Sequence, residues 1–425
     1  MDIKTGLQKI ADNSFVGEKL FDHSADIEYF RFLVLRDFLY KVYTKKLKDD
    51  RIKMLSCWGL KNDETKFISK ARPDSYSNLG LIEFNDMAVY FRLLFDKKEY
   101  LLTTIGLCNM HLTASWIFKV SIACLDDTVE TSAQGLLDYL LITSMAKSSI
   151  KNKMIFIKDN NFKHAYLENT EIIEPKDIDL NDIFLPKNIS VQIKRFITEI
   201  INYGIQSTNT KNKSQLRFLL SGLPGTGKSQ IINAIIKAVY GKTTIVVLNG
   251  IDFKMTEIID FCKIFDPCLL VIDDMDFIAR KREENFNSNS LVNILHSLDG
   301  MFPESLFLLG ATNDKFLVDK AASRPGRFDM ILDISKINED DYLKLIKRET
   351  QDESLISLFN KEVLGFLKNK KVTGAFIVNL IKQLVSIKQT EGKVELEDVK
   401  SILNLTYEGF YLDPVQLGKV IGFRK

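Results

Sequence analysis

Eight consecutive residues have the types and spacing of a phosphate-binding loop. They read Gly222-Leu223-Pro224-Gly225-Thr226-Gly227-Lys228-Ser229, the pattern GxxxxGK[ST], between an apolar run at 216–221 and a helix-like stretch. Glycines let successive backbone N–H groups face phosphate oxygens at a helix N-terminus, where the helix dipole adds attraction. We predict that Lys228 bridges the β- and γ-phosphates of a nucleoside triphosphate and that Ser229 offers its hydroxyl to Mg²⁺.

Two carboxylates follow a second apolar run. Residues 269–272, Leu-Leu-Val-Ile, lead directly into Asp273 and Asp274. Open α/β sheets bind ligands at the carboxyl ends of their strands, so Asp273 is expected to hold the magnesium shell. Asp274 is expected to orient or deprotonate the attacking water. Taken alone, the run could equally be a buried strand that enters an acidic turn. Because a phosphate loop is also present, the interpretation of Asp273 and Asp274 as catalytic-site carboxylates is favoured.

The elements that must position these residues follow from hydrophobic periodicity. Short continuous apolar runs separated by helical periods are typical of a parallel sheet that is covered on both faces. Five runs predict five strands: 216–221, 243–248, 268–272, 306–311 and 330–334. After residue 335 only helical patterns remain, at 339–349, 355–368, 374–387 and 396–403. The sequence therefore predicts an α/β core followed by a helical subdomain.

The residues before the phosphate loop predict a separate α+β domain. A helical pattern over 15–48 is followed by alternating stretches at 79–84 and 116–125 and a second helical stretch at 132–147. The aromatic-rich stretch 90–100 could be a binding surface, but such spacing is more often core. The predicted division is an N-terminal domain over 1–169, a linker over 170–189, a phosphate-binding subdomain over 190–335, and a helical lid with a C-terminal tail over 336–425.

The bulk composition excludes several classes of protein. Hydrophobic residues make up 45% and charged residues 27% of the chain, which is typical of soluble globular proteins. A net charge of +2 provides no overall field for nucleic acid or an anionic membrane, so neither is an expected partner. The five cysteines contain no CxxC pair, and no run of about eighteen apolar residues occurs. We therefore expect a cytoplasmic protein with reduced thiols, no structural zinc and no membrane segment.

The stretch 216–334 resembles the AAA family of P-loop ATPases in the narrow sense, which includes the katanin, spastin and FtsH-like proteins. Gly310-Ala311-Thr312-Asn313 is similar to the family's sensor 1, and Arg324-Pro325-Gly326-Arg327-Phe328-Asp329 is similar to the end of its second region of homology. Thr373-Gly374-Ala375 resembles the sensor 2 position. The resemblance covers about 182–407, and it implies an AAA+ core with a five-stranded parallel sheet between helices and a helical lid.

The resemblance also implies roles and partners. ATP and Mg²⁺ are the implied cofactors, and Asn313 would position the attacking water beside Asp274. Arg324 and Arg327 resemble arginine fingers that reach ATP bound by the neighbouring subunit, which implies a homo-oligomeric ring, usually a hexamer. The predicted nucleotide-binding residues are Ile183, Gly222, Pro224, Gly225, Thr226, Gly227, Lys228, Ser229, Gln230, Gly374 and Ala375.

Two features depart from the family pattern. The second acidic residue is usually Glu, and Asp274 is shorter by one methylene, which sets its oxygens back by about 1.5 Å and could slow hydrolysis. The spacing from Asn249 to Asp273, 273 − 249 = 24 positions, is shorter by roughly ten residues, or nearly three helical turns. That segment normally carries a pore loop; residues 253–255 could be its remnant, although a core role is favoured. The short segment resembles the AAA subtype that assembles mitochondrial complex III.

Two main hypotheses of function follow. In the first, a chaperone-like ATPase hydrolyses ATP at subunit interfaces to remodel or move a protein partner that the N-terminal domain recruits. In the second, ATP binding assembles a scaffold or switch that slow hydrolysis takes apart. A nucleic-acid-associated AAA+ ATPase is a third alternative, less favoured because no basic stripe is visible.

Overall fold

The computed structural model describes residues 23–27, 29–60, 67–68, 75–76, 81–83, 88–109, 115–124, 131–158, 170–206, 216–248, 255–275, 306–313, 327–334 and 341–411. The chain divides into two units, one made of 1–174 with 252–266 and the other of 175–251 with 267–425. Residues 252–266, which the sequence analysis places within the 190–335 subdomain, thus group with the first unit. None of the described helices is both long enough and apolar enough to cross a bilayer.

The elements are numbered in chain order. Those before residue 175 are β1 (His23–Asp26), α1 (Tyr29–Tyr43), β2 (Ile52–Leu60), β3 (Phe67–Ile68), β4 (Ser75–Tyr76), β5 (Ile82–Glu83), β6 (Ala88–Phe95), β7 (Lys98–Asn109), β8 (Ser115–Cys124), α2 (Thr131–Ala146), β9 (Met154–Ile157) and β10 (Thr170–Ile173). Those that follow are a 3₁₀ turn (Leu180–Asp182), α3 (Lys187–Gln206), β11 (Arg217–Ser221), α4 (Lys228–Val239), β12 (Thr244–Leu248), α5 (Met255–Lys263), β13 (Cys268–Ile272), β14 (Leu306–Thr312), β15 (Met330–Asp333), α6 (Asp341–Glu349), α7 (Glu353–Leu358), α8 (Lys361–Lys370), α9 (Gly374–Glu391) and α10 (Leu396–Tyr411).

The first unit is built on an antiparallel sheet of six strands in the order β1-β8-β7-β6-β2-β3. Alternate residues of β6, among them Val89, Phe91 and Leu93, pack with apolar residues of α1 and α2 in one buried cluster. Tyr90 and Tyr100 are also buried, so the aromatic residues of the stretch 90–100 supply core. The predicted α+β architecture is confirmed for this unit.

The helix predicted over 15–48 is wrong at its start. His23–Asp26 forms a strand that pairs antiparallel with β8, with His23 opposite Ile122, and α1 begins only at Tyr29. The strand is only four residues long and contains one apolar residue, so periodicity could not separate it from the helix that follows. Residues 15–22 lie outside the described part of the chain.

The second unit contains a five-stranded parallel sheet in the order β12-β13-β14-β11-β15. Every residue of β13 and β14 is buried, as expected for central strands with elements on both faces. β11, which leads into the phosphate loop, lies between β14 and β15. This confirms the predicted sheet, and it brings the carboxyl ends of β11, β13 and β14 to one edge.

Helices α6 to α10 form the predicted C-terminal helical subdomain around one apolar cluster. The single helix predicted over 355–368 is wrong, because it is divided into α7 and α8. Phe359 has ψ 62°, outside the helical region, and the Asn360 side chain accepts a hydrogen bond from the backbone N–H of Val363. That contact is an N-cap, so Asn360 starts a new helix instead of continuing the previous one.

The helix in the shortened segment, α5, packs within the first unit. Phe261 and Phe265 form edge-to-face contacts with Phe30 of α1, at ring-centroid distances of 5.0 and 5.7 Å. Met255, the first residue of α5, is also buried, which supports the core reading for that position. Residues 253 and 254 lie outside the described residues, and the resemblance to the complex III assembly subtype stays a prediction.

Candidate active site

The backbone between β11 and α4 has the geometry of a phosphate cradle. Gly225 and Gly227 adopt φ values of +79° and +95°, in the left-handed region that side chains rarely enter, and Gly227 occupies the N-cap of α4. The first N–H groups of a helix have no partner within it and carry partial positive charge. The loop therefore presents donors and a favourable field to an anion at Lys228 and Ser229.

Lys228 is a buried cation whose ammonium is fully engaged. Its Nζ donates to the carbonyl oxygens of Gly222 and Leu223 at 2.7 and 3.0 Å, and to Oδ1 of Asn313 at 2.7 Å. Three acceptors match the three donors of an ammonium group, which offsets the cost of burying its charge at 6% exposure. The phosphate loop is thus tied to the end of β14 through a single side chain.

Asn313 connects this lysine to the acidic turn after β13. Its Nδ2 donates to Oδ1 of Asp274 at 3.2 Å, so Lys228, Asn313 and Asp274 form one hydrogen-bonded row. Asp274 has φ +51°, and its N–H donates to Oδ1 of Asp273 at 3.1 Å. Aspartate tolerates the left-handed region better than most residues, and this conformation turns the chain away from the direction of the strand.

Gly310 on β14 makes room for the turn that follows the two aspartates. A Cβ placed on Gly310 would lie 2.6 Å from Sδ of Met275 and 3.2 Å from Cδ1 of Leu219. Met275 is fully buried, so its side chain fixes the chain directly after Asp274 against the sheet. The glycine of the sensor 1 sequence thereby has a packing role in setting the acidic turn.

The helical subdomain contacts the phosphate loop at Gly225. The N–H of Ala375 donates to the carbonyl oxygen of Gly225 at 3.1 Å, at the start of α9. A Cβ on Gly225 would meet Cβ of Ala375 at 2.7 Å and Oγ1 of Thr373 at 3.3 Å. The close approach needs a glycine in the loop and a small residue at 375, which gives the sensor 2 resemblance a steric basis.

These features enclose a cleft of about 780 Å³, a volume suited to a nucleotide. The predicted residues that line the cleft are Ile183, Pro224, Gly225, Thr226, Gly227, Lys228, Ser229, Gln230, Asp274, Asn313, Gly374 and Ala375. Gly222 and Asp273 do not line it, although Gly222 binds Lys228 and Asp273 binds the N–H of Asp274. Arg324 lies outside the described residues.

Arg327 precedes β15, and the residue two positions after it is bonded at the start of β11. Asp329, two residues later, accepts from the N–H of Arg217 at 2.8 Å and donates its own N–H to the Arg217 carbonyl at 2.9 Å. Arg217 begins β11, whereas the phosphate loop follows its last residue, Ser221, about 13 Å further at 3.3 Å per residue. Arg327 is 5% exposed and does not line the cleft of its own protomer.

Sequence reasoning missed several residues of the lid that line the cleft. They are Leu345 and Arg348 on α6, and Val378, Asn379 and Lys382 on α9. From Ala375, the α9 residues are spaced i+3, i+4 and i+7, which places them on one helix face. This spacing, counted from the sensor 2 position at Ala375, is the sequence signal that could have identified the three α9 residues.

Comparison with known proteins gives one family. The sequence profile described as "ATPase family associated with various cellular activities (AAA)" matches residues 218–336. The proteasome-activating nucleotidase of Methanococcus maripaludis is 27% identical over 253 residues, 55% of this chain and 61% of that protein. This chain thus spans about three fifths of that relative.

Two further relatives match similar shares of the chain. An ATP-dependent zinc metalloprotease FtsH of Halothermothrix orenii is 23% identical over 59% of this chain and 41% of its own length. A putative cell division cycle ATPase of Plasmodium falciparum is 28% identical over 57% of this chain and 21% of its own length. In each case the match covers only part of the relative's length.

Proposed function

Because this chain is a member of the AAA family of P-loop ATPases, as its motifs predicted, we propose that it hydrolyses ATP in the cleft between the phosphate loop and the lid. We further propose that it does so in a homo-oligomeric ring and uses the cycle to remodel or move a protein partner. The observation that carries the proposal is the row Lys228, Asn313 and Asp274 inside a nucleotide-sized cleft.

Each member of the row has one task. Lys228 exchanges at least one of its present acceptors for phosphate oxygen, because its three donors are already engaged. Asn313 then shares the orientation of the attacking water with Asp274. The Asp274 carboxylate accepts a proton from the water as its oxygen bonds to the γ-phosphorus, and the bond from that phosphorus to the β–γ bridging oxygen breaks to release ADP. Ser229, which lines the cleft, and Asp273, which lies beside Asp274 and accepts its N–H, would hold Mg²⁺, which supplies positive charge to the phosphates.

We propose that the site is completed by the next protomer. Asp329, two residues after Arg327, is bonded to Arg217 at the amino-terminal end of β11, whereas the phosphate loop of the same chain follows the carboxyl end of that strand. An arginine finger at this position serves a neighbour's nucleotide more readily than its own, which supports a ring, a hexamer by analogy with the family. Arg324 and Arg327 are the proposed fingers.

We propose a protein as the object of the ATPase cycle. The names of two relatives, a proteasome-activating nucleotidase and an ATP-dependent protease, support this class. The present sequence contains no H-E-x-x-H motif, so the zinc protease activity named for FtsH is not included in the proposal. The N-terminal unit is the proposed site of partner recruitment.

Steady-state ATP turnover of the purified parent and its Asp274→Asn variant tests the proposal. Asparagine retains the size of the side chain and an acceptor for Asn313, but it cannot take a proton at neutral pH. We expect measurable parent turnover, at least a hundredfold slower turnover in the variant, and equal ATP affinity. Equal turnover in both proteins would reject Asp274 as the base.

The slow-hydrolysis scaffold stays a second candidate, because Asp274 is shorter than the usual glutamate. Under that function the parent turnover is already near background, and added ATP shifts the protein from protomers to rings. Asp274→Glu separates the two functions. A large gain of turnover favours the scaffold, and a loss favours an active site built around aspartate.

A further inference from the structure

Arg348, in the last turn of α6, faces the cleft and joins three groups. Its Nη1 donates to the carbonyl oxygen of Asp182 at 2.6 Å, and its Nη2 donates to Oε1 of Glu349 at 2.8 Å. The centre of its guanidinium lies 5.2 Å from the ring centroid of Phe184. Arg348 thus links the lid to the segment that leads into α3.

That segment, residues 175–184, makes contacts near both of its ends. Near its start, Asp177 forms an ion pair with Lys237 on α4, the helix that follows the phosphate loop. Near its end, the Asp179 side chain accepts from the N–H of Asn181 and closes the 3₁₀ turn, which directs the Asp182 carbonyl to Arg348. The segment therefore connects the ATPase core to the lid.

The lining of the cleft has an apolar part and a charged part. Ile183 and Phe184 line it together with Leu345 and Val378, whereas Lys228 and Asp274 belong to the charged part. A base requires apolar walls and a triphosphate requires donors and cations, so the two parts match the two ends of a nucleotide. Phe184 packs against the apolar cluster of the lid, and Arg348 contacts this wall through the Asp182 carbonyl and the Phe184 ring.

We propose that Arg348 is a positioning residue for the nucleoside: it fastens Ile183 and Phe184 to the lid and so sets affinity for the base and not for the triphosphate. The inference rests on the proposed function, since it deepens the nucleotide site. Arginine is needed because its planar fork bonds a carbonyl and a carboxylate while its face lies against a ring. A lysine ammonium could not make all three contacts, to the carbonyl, the carboxylate and the ring.

Binding of two ligands by Arg348→Ala tests the inference. The probes are ATP and inorganic tripolyphosphate, each with Mg²⁺, measured by titration calorimetry on the full chain. We expect ATP to bind about tenfold more weakly, a difference of roughly 1.4 kcal/mol, and tripolyphosphate to bind as it does to the parent. Lys347→Ala, an exposed neighbour on the same helix, is the matched control and should bind both ligands normally.

Two kinds of result would be decisive. Unchanged ATP affinity in Arg348→Ala, or an equal loss for both ligands, would overturn the nucleoside role. If Arg348→Ala does not fold, Arg348→Lys keeps a cation at this position but lacks the planar fork that bonds both Asp182 and Glu349, and the same selective loss is required of it. A parent that binds neither ligand, or a Lys228→Ala variant that binds both as the parent does, would reject the proposed function instead.

Discussion

At the residue scale, the ammonium of Lys228 holds the phosphate loop, Asn313 and, through it, Asp274 in one hydrogen-bonded row. Lys228→Ala removes a cation that bonds phosphate directly. Charged hydrogen bonds contribute ~1.5–3 kcal/mol each, so we expect ATP binding to weaken by at least tenfold. Titration calorimetry measures the change, with exposed Lys242→Ala as the control. ATP affinity equal to that of the parent would remove Lys228 from the site.

Two glycines with nearly equal φ angles make it possible to measure backbone strain and steric contact separately. Gly225 has φ +79° and a Cβ there would meet Ala375, whereas Gly241 has φ +77° and open space around it. Gly241→Ala should cost ~1–2 kcal/mol for the left-handed conformation alone. Gly225→Ala should cost more and also weaken ATP binding, because it displaces the lid from the loop. Equal shifts in urea unfolding midpoint would contradict the close contact between loop and lid.

Much of the site could be predicted at this scale, because its chemistry is carried by sequence-local motifs. Gly225, Lys228, Asp274 and Asn313 all line the cleft. Arg348 could not be predicted, because its partners, Asp182 and Phe184, are about 165 residues away in the chain and meet it only through the fold. A lone arginine on an amphipathic helix reads as a solvated residue until its partner is known.

At the element scale, the strands of the parallel sheet are the best predicted part, since buried strands appear as continuous apolar runs. The observed β13 spans Cys268–Ile272, as the run predicts. The break between α7 and α8 was missed, because Asn360 acts through a local cap that interrupts an otherwise continuous helical period. Periodicity also cannot show which unit α5 packs into, because the apolar pattern of a buried helix face does not depend on its packing partner.

The lid should lose part of its stability in acid. Hydrogen bonds from Lys388 and then Ser354 lower the pKa of Asp352, the N-cap of α7, to about 2 from its ordinary 3.8. Because the pKa is lower in the folded state, the ionised Asp352 side chain stabilises the fold above pH 3.8, and this stabilisation is lost as the pH falls toward 2. When the pH is lowered from about 5 to about 2.5, the midpoint temperature of thermal unfolding should therefore fall further for the parent than for Asp352→Asn. Parallel falls in both proteins would rule out this contribution.

At the scale of the whole molecule, residues 252–266 make the first unit discontinuous in sequence. A chain cut to 175–425 keeps α5 but loses Phe30, the partner of the nearly unexposed Phe261 and Phe265. We expect this fragment to self-associate on gel filtration, because it exposes both rings. Replacing both phenylalanines with glutamine should reduce the association in the fragment. A monodisperse 175–425 fragment would show that α5 needs no partner from the first unit.

The central claim is that ATP held by the loop around Lys228 in one protomer is hydrolysed with an arginine from the next. Mixing Lys228→Ala subunits with Arg324→Ala or Arg327→Ala subunits tests it most directly, since each supplies what the other's interface lacks. Thermal unfolding must first show that each variant is folded, because Arg327 is buried. We predict ATP turnover in the mixture above that of either variant alone. Turnover that stays at the level of the single variants at every mixing ratio would contradict the claim.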